Sequence, residues 1–264
     1  MIARELTRDD DLEGKVAVIS GGVSGIGLAL AVSYAKAGVR CVLGYYPGDP
    51  HDPEQAVSAV RAAGGEVMAV AADVADGAEV DALVTAAVEH FGGVDIAVAS
   101  AGILRRAALA DLSDEAWDDM LSVDLTGVLR LFRSAGAVMR DGGSMVAVSS
   151  IAGGVYGWDE HAHYAAAKAG VVGMCRSLAV ELASRGIRVN CVMPGLIESP
   201  QSLDAVNSLG PEGLAASGRL IPLRRVGRAD EVARTIRFLT GGDAAYVTGQ
   251  TLVVDGGLTV QWPS

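Results

Sequence analysis

The sequence predicts an α/β chain: a doubly wound parallel seven-stranded sheet with helices on both faces. Three observations predict it. Short apolar runs of strand length alternate with longer helical patterns, which is the arrangement of βαβ units. The apolar runs are continuous rather than alternating, as in strands buried on both faces. The first run is followed at once by a Gly-rich turn and a helix, the opening of a nucleotide-binding βαβ unit.

Residues 1–13 are polar and charged and read as a loose leader. Lys15–Ser20 is the first strand, Gly21-Gly22-Val23-Ser24-Gly25-Ile26-Gly27 the turn, and Leu28–Lys36 the helix, with Gly38 placed to stop it. Val39–Leu43 is the second strand. A helix over Pro53–Ala63 ends at Gly64-Gly65, and Glu66–Ala71 is the third strand. Ala78–His90 is a helix and Val94–Ala99 the fourth strand. From Asp114 to Met139 the apolar positions Trp117, Met120, Leu121, Leu125, Val128, Leu129 and Phe132 recur at three and four, predicting one long helix. Ser144–Ser149 is the fifth strand, a helix around Tyr164 runs to Ala183, and Ile187–Val192 is the sixth. Gln201–Leu220 mixes Gly, Ser and Pro with scattered apolar positions and reads as a mobile segment with short helices. Asp230–Thr240 is a helix and Thr251–Val254 the seventh strand. No linker-like shift in composition interrupts the series, so residues 1–264 are expected to form a single domain.

Half of the residues are apolar and a fifth are charged, enough apolar material for a full core. The formal net charge is -11 and no basic cluster stands out, which argues against a nucleic-acid partner. No apolar run has the length of a membrane span, and the first residues lack the apolar stretch of a signal peptide. Cys41, Cys175 and Cys191 lie among apolar neighbours without paired spacing. They read as small buried hydrophobes in a reducing compartment, and a cytoplasmic location is expected.

The chemistry gathers at strand ends. Tyr164-Ala165-Ala166-Ala167-Lys168 lies in an Ala-rich helical stretch, and residues four apart share a helix face. A cation beside a phenol favours the phenolate, so Tyr164 is expected to have a lowered pKa and to serve as a general acid or base. Gly21-x-x-x-Gly25-x-Gly27 lets the backbone approach a pyrophosphate while the next helix aims its N-terminal N–H groups at the charge. Asp73-Val74 ends the third strand, where an Asp could accept from an adenine amino group or cap the following helix. Ala99-Ser100-Ala101-Gly102 ends the fourth with small residues that leave room for a ligand. Ser149-Ser150 ends the fifth with a hydroxyl suited to a reacting carbonyl oxygen, and Pro194-Gly195-Leu196-Ile197-Glu198-Ser199 follows the sixth.

In order and spacing these motifs, with Asn190-x-x-x-Pro194-Gly195 and the tail Val247-Thr248-Gly249-Gln250 to Asp255-Gly256-Gly257, resemble the short-chain dehydrogenase/reductase family over nearly the whole chain. The resemblance implies a Rossmann fold, a nicotinamide dinucleotide (NAD or NADP), and hydride transfer between its C4 and a carbinol or ketone carbon. Tyr164 would be the acid/base, Lys168 its modulator and a ribose contact, and Ser150 the holder of the substrate oxygen. Gly21, Ser24, Gly25, Ile26, Gly27, Tyr45, Asp73, Val74, Ala101, Gly102, Pro194 and Gly195 would contact the dinucleotide, with Ile197 and Ser199 at its carboxamide. The substrate would be a small secondary alcohol or ketone of sugar, ketoacyl, polyketide or sterol type, and the loop Trp158–His163 faintly resembles that of sugar dehydrogenases. A homotetramer is implied, with residues 201–220 as substrate lid. The rival expectation is a dinucleotide-binding redox sensor or structural subunit with little turnover.

Three departures stand out. The family's usual Asn-Asn-Ala-Gly is Ala99-Ser100-Ala101-Gly102 here. Its fourth catalytic residue, usually Asn, is Asp124, which keeps the main-chain carbonyl but adds a charge near Lys168 and should shift the coupled titration of Tyr164 and Lys168. The second strand ends at Tyr45-Tyr46 and the turn holds Ser24, so neither the acid of NAD-specific members nor the base of NADP-specific ones is present. Lacking a 2′-phosphate partner, the chain leans to NAD. His161 and His163 read as solvated loop residues, Trp158 and Tyr156 as pocket lining or loop packing, and no metal site is expected.

Overall fold

The computed structural model describes residues 11–261. Its first half runs β1 (Val16–Ser20), α1 (Gly25–Ala35), β2 (Arg40–Tyr45), α2 (Pro53–Ala62), β3 (Val67–Ala71), α3 (Gly77–Phe91) and β4 (Val94–Ala99). Then come α4 (Asp114–Leu121), a π-helical turn (Ser122–Thr126), α5 (Gly127–Val138), β5 (Met139–Val148) and a short turn of helix, α6 (Ile151–Gly154). The second half holds α7 (Ala162–Glu181), β6 (Arg188–Pro194), β7 (Ile197–Glu198), α8 (Pro200–Leu203), α9 (Gly210–Gly218), β8 (Gly227–Arg228), α10 (Ala229–Thr240) and β9 (Thr251–Val254).

Seven strands pair in the order β3-β2-β1-β4-β5-β6-β9, every pair parallel. The order grows one way from β1 to β3 and then jumps back to place β4 beside β1. That reversal opens a crevice at the carboxyl ends of β1 and β4, where ligands bind in such sheets.

Each strand feeds two cores because successive side chains point to opposite faces. In β1, Ala17 and Ile19 join α1, α2 and α10 on one face, while Val16 and Val18 join α3, α5 and α7 on the other. Buried polar groups are matched where strands and helices meet. The Tyr34 hydroxyl on α1 bonds Thr240 on α10 at 2.8 Å. Asn190, wholly buried on β6, donates to the Val247 carbonyl and accepts from the Gln250 N–H, which ties β6 to the turn leading into β9.

The structure departs from the sequence reading in four places. Residues 1–10 of the expected leader lie outside the described residues, but Leu12 is buried in the core and Asp11 accepts from the Gly242 N–H. The helix expected over 114–139 is two helices joined by the π-helical turn at 122–126. Strand β5 begins at Met139 rather than Ser144, with a register irregularity opposite Val94 and Ile96. A second, two-stranded sheet pairs β7 with β8, anchoring both ends of the segment 201–220, whose expected short helices are α8 and α9.

Candidate active site

Tyr164 and Lys168 sit one turn apart near the start of α7, both almost fully buried. The Lys168 ammonium lies 5.6 Å from the centre of the Tyr164 ring. Lys168 Nζ also donates to the Val148 carbonyl at the end of β5, and the Ser149 hydroxyl donates to the Lys168 carbonyl at 2.7 Å. The start of α7 is therefore pinned to the end of β5. The next residue, Ser150, heads α6 by accepting from the Ala152 N–H, and its hydroxyl stands near enough to the Tyr164 phenol to pull its pKa downward.

Asp124 lies behind this pair. Its side chain is wholly buried in the π-helical turn, with Oδ2 3.0 Å from Lys168 Nζ and Oδ1 accepting from the Ile103 N–H at 2.7 Å. Oδ2 takes no hydrogen bond of conventional geometry among the described residues, so its contact with Lys168 is an ion pair first. A π turn widens the helix by one residue and often sits at functional sites; here it carries the acidic side chain under the Lys168 ammonium.

Burial and these charges set the acid–base properties. Burial pushes the Asp124 carboxyl up, more than Lys168 pulls it down. Burial lowers the Lys168 ammonium, but the charge of Asp124 and then Tyr164 outweigh it, and the net shift is upward. For Tyr164, burial is the largest influence and raises the phenol; Lys168 lowers it, Asp124 raises it, and Ser150 lowers it. The net is a rise. Lys168 thus acts in the expected direction, but the expected fall in the Tyr164 pKa is overturned by burial.

Ser150, Tyr164 and Lys168 open on a cavity of about 620 Å³ at the crevice between β1 and β4. The expected dinucleotide contacts reach it from successive strand ends: Gly21, Ser24, Gly25 and Ile26 after β1, Tyr45 at the end of β2, and Asp73 and Val74 after β3. Ala101 and Gly102 follow β4, Ser150 follows β5, and Pro194, Gly195, Ile197 and Ser199 follow β6. Of the expected residues, Gly27 and Asp124 do not line it. Gly27 lies beneath the turn, where a Cβ would come 2.1 Å from the Gly21 carbonyl oxygen.

A model of the family described as enoyl-(acyl carrier protein) reductase matches residues 21–259. The chain is 41% identical over 254 residues to 3beta-hydroxysteroid dehydrogenase 1 of Eggerthella lenta, covering 95% of this chain and 96% of that one. It is 38% identical over 252 residues to a 3-oxoacyl-[acyl-carrier-protein] reductase of Synechocystis, covering 94% and 98%. Among solved structures, the short-chain dehydrogenase/reductase of Serratia marcescens superposes with a TM-score of 0.87 at 33% identity, covering 94% of this chain and 99% of that one. Levodione reductase superposes with a TM-score of 0.86 at 33% identity, covering 95% and 99%. This chain is a short-chain dehydrogenase/reductase. It is an NAD(P)-dependent oxidoreductase acting on CH–OH and C=O groups.

The residues of this short-chain dehydrogenase/reductase fit its dinucleotide. Gly21 has φ +64°, and a Cβ there would stand 2.8 Å from the Ala101 backbone. The Gly-rich turn and the small residues after β4 therefore pack against each other, leaving backbone at the cavity floor. Ser24 heads α1 without spending its hydroxyl on a cap bond, and Ser24, Gly25 and Ile26 at that helix start line the cavity, where the N-terminal N–H groups of a helix favour an anion. Beside Lys168, a Cβ on Gly102 would meet Asp124 Oδ2 at 3.0 Å and Lys168 Nζ at 3.3 Å. The bound dinucleotide supplies the hydride; the protein holds the proton and the geometry.

Several side chains take places the sequence did not assign. Asp49, a short turn past β2, lines the cavity and accepts from the His51 N–H at 2.8 Å. Asp73 accepts from the Ala75 N–H, and the cap of α3 is Asp76 instead. His161 and His163 are buried, not solvated. The ring nitrogens of His161 lie 2.6 Å from the Asp159 carbonyl oxygen and 3.1 Å from that of Asn207, while its ring stacks on Trp158. His163 has no hydrogen-bond partner at either ring nitrogen among the described residues, and burial lowers its pKa. Trp158 and Tyr156 both line the cavity. Ser199 caps α8 through Ser202. Among the described residues no group of three or more His, Cys, Asp or Glu could hold a metal ion.

Proposed function

We propose that this enzyme interconverts an apolar, ring-bearing secondary alcohol and its ketone, of hydroxysteroid type, with NAD as the preferred dinucleotide. The observation that carries the substrate class is the wall beyond Tyr164. Ile103, Leu104, Ile151, Trp158, Leu209 and Leu220 line it, and the polar loop 158–163 offers it little hydrogen bonding. His161 is engaged with two backbone carbonyls and His163 is buried. A sugar needs hydroxyl partners on several sides; a ring hydrocarbon needs contact area. The similarity to a hydroxysteroid dehydrogenase agrees with this.

In this reading Ser150 holds the substrate oxygen and Tyr164 exchanges the proton with it, donating during ketone reduction and accepting during alcohol oxidation. Lys168 pulls the phenol toward ionisation, and Asp124 keeps Lys168 charged. Gly21, Ser24, Gly25 and Ile26 hold the pyrophosphate, Asp73 and Val74 the adenine, and Ile197 and Ser199 the carboxamide. Asp49 supports the NAD preference: a carboxylate facing the region past β2 accepts from ribose hydroxyls and repels a 2′-phosphate.

Residues 11–261 act as one domain, and segment 201–220 is the lid, fastened by the contact of His161 with Asn207. A homotetramer is supported by the exposed apolar side chains Leu129 and Val138 on α5, Val180 on α7 and Val253 on β9. Three unpaired, buried cysteines agree with a cytoplasmic, reducing setting, and no helix among the described residues is long and apolar enough to cross a membrane. The test is a panel of 3-oxosteroids, cyclic ketones and sugars assayed in parallel with NAD(H) and NADP(H). Turnover of steroids or cyclic ketones that is lost in Tyr164→Phe is expected. Turnover of sugars alone would overturn the substrate reading, and dinucleotide binding without turnover of any compound would favour the sensor.

A further inference from the structure

Two cations line the cavity, Lys168 and Arg105. Lys168 is taken by Asp124. Arg105 forms no ion pair among the described residues, although carboxylates outnumber basic side chains 32 to 21 in the chain. Its neighbour Arg106 pairs with Glu160, as ordinary electrostatics would have it. Arg105 instead turns one nitrogen to the Leu104 carbonyl at 2.9 Å. That bond orients the guanidinium next to Leu104, a buried residue clustered with Met120, Ala152 and Tyr164 on the substrate wall. The remaining N–H groups of its fork are presented with no carboxylate to receive them.

The chain at Arg105 runs beside the segment 201–220, where the next residue's N–H, that of Arg106, donates to Asn207 Oδ1 at 3.4 Å. The charge of Arg105 is felt at Asp124, behind Lys168, and at Asp204, in the lid. Asp204 is not its counter-ion, because its oxygens accept from Val206, from the Asn207 N–H and from the Asn207 amide. Asp119 on α4 also lines the cavity but makes no ion pair with it. Arg105 is exposed and lines the cavity, and an arginine fork matches a carboxylate in geometry as well as charge.

We propose that Arg105 is an anion subsite of the substrate cavity. The substrate then carries a carboxylate at the far end of an apolar body whose near end bears the reacting carbinol or ketone. This rests on the apolar-alcohol reading above and narrows it. The step catalysed is unchanged: the carboxylate takes no part in the hydride or proton transfer, and Arg105 sets specificity and position only.

The probe pair is a 3-oxosteroid with a side-chain carboxylate and the methyl ester of the same compound. Each is assayed for turnover and, separately, for equilibrium binding by calorimetry, on wild type, Arg105→Met and Arg105→Lys. In wild type the acid should show the lower KM, rising with ionic strength as a charge contact does. Arg105→Met should raise KM for the acid roughly ten- to a hundred-fold, with kcat within about twofold and the ester unaffected. Arg105→Lys should recover part of the loss, since a lysine keeps the charge without the fork. Arg105-dependent binding of the acid without turnover of either compound would count against the reaction proposed above while supporting the subsite. Equal affinity for acid and ester, a loss shared by both in Arg105→Met, or no binding of the acid would overturn the subsite.

Discussion

Asp124 Oδ2 lies 3.0 Å from Lys168 Nζ, with both side chains withdrawn from solvent. A carboxylate in that place holds the ammonium charged and, through its own charge, opposes ionisation of Tyr164. Asp124→Asn removes that charge while an amide oxygen can still accept from Ile103. The upward push on both Lys168 and Tyr164 then disappears, so the rise of kcat/KM for alcohol oxidation should move to lower pH. The measurement is the pH–rate profile, and an identical profile in variant and wild type would sink the charge role.

Asp124→Ala goes further, leaving a buried ammonium without a counter-ion and the Ile103 N–H without an acceptor. Removing one member of a buried pair costs about 3–5 kcal/mol. Denaturant unfolding should show a loss of this order, with Asp124→Asn, which removes the counter-charge but keeps the acceptor for Ile103, losing less.

His163 gives a pH dependence of stability. Burial lowers its pKa from 6.5, so the native state binds a proton there less readily than the unfolded chain. The neutral ring's contribution is fully present above the unfolded pKa and is lost as pH falls below about 6.5. Wild type should therefore lose stability between pH 7 and pH 5 more steeply than His163→Gln, read as the change in unfolding midpoint with pH.

Much of this could be read from residues alone, because the governing signals are local. Continuous apolar runs marked the strands, and four-residue spacing put Tyr164 and Lys168 on one face. What escaped is set by tertiary context. The π-helical turn at 122–126 was hidden because Met120 and Leu121 on one side and Val128 and Phe132 on the other keep a helical period across it. The direction of the Tyr164 shift depends on burial, which no spacing reveals. Leu12 was lost in a charged run although it packs into the core. Asp49 was missed because it faces the cavity only after the chain turns back beyond Tyr46.

Gly21→Ala tests the cradle. The new methyl would have to adopt φ +64° and stand 2.8 Å from the Ala101 backbone, so the turn must shift away from β4. Dinucleotide affinity should fall at least about tenfold by fluorescence titration, a loss of about 1.4 kcal/mol or more, while the helical content seen by circular dichroism is kept.

Asp49→Ser tests the cofactor preference. Removing the carboxylate takes away a ribose acceptor and the repulsion of a 2′-phosphate. The ratio of kcat/KM with NAD to that with NADP should fall about tenfold or more. A ratio that does not move would assign the preference to other residues.

The π-helical turn also has a bearing on how the enzyme could be altered. Such a turn is a helix holding one residue more than its pitch requires, and that surplus residue is in principle removable. Excising a single residue from 122–126 would let α4 and α5 fuse into one regular helix, with the flanking turns keeping their faces because the surplus residue is what the wide turn absorbs. The fused helix would keep better hydrogen-bond geometry, yet Asp124 could no longer face Lys168 while Val128 and Phe132 kept their seats in the core. A one-residue deletion should therefore trade the enzyme's acid–base control for a more regular scaffold, an exchange that no point substitution at the site can make.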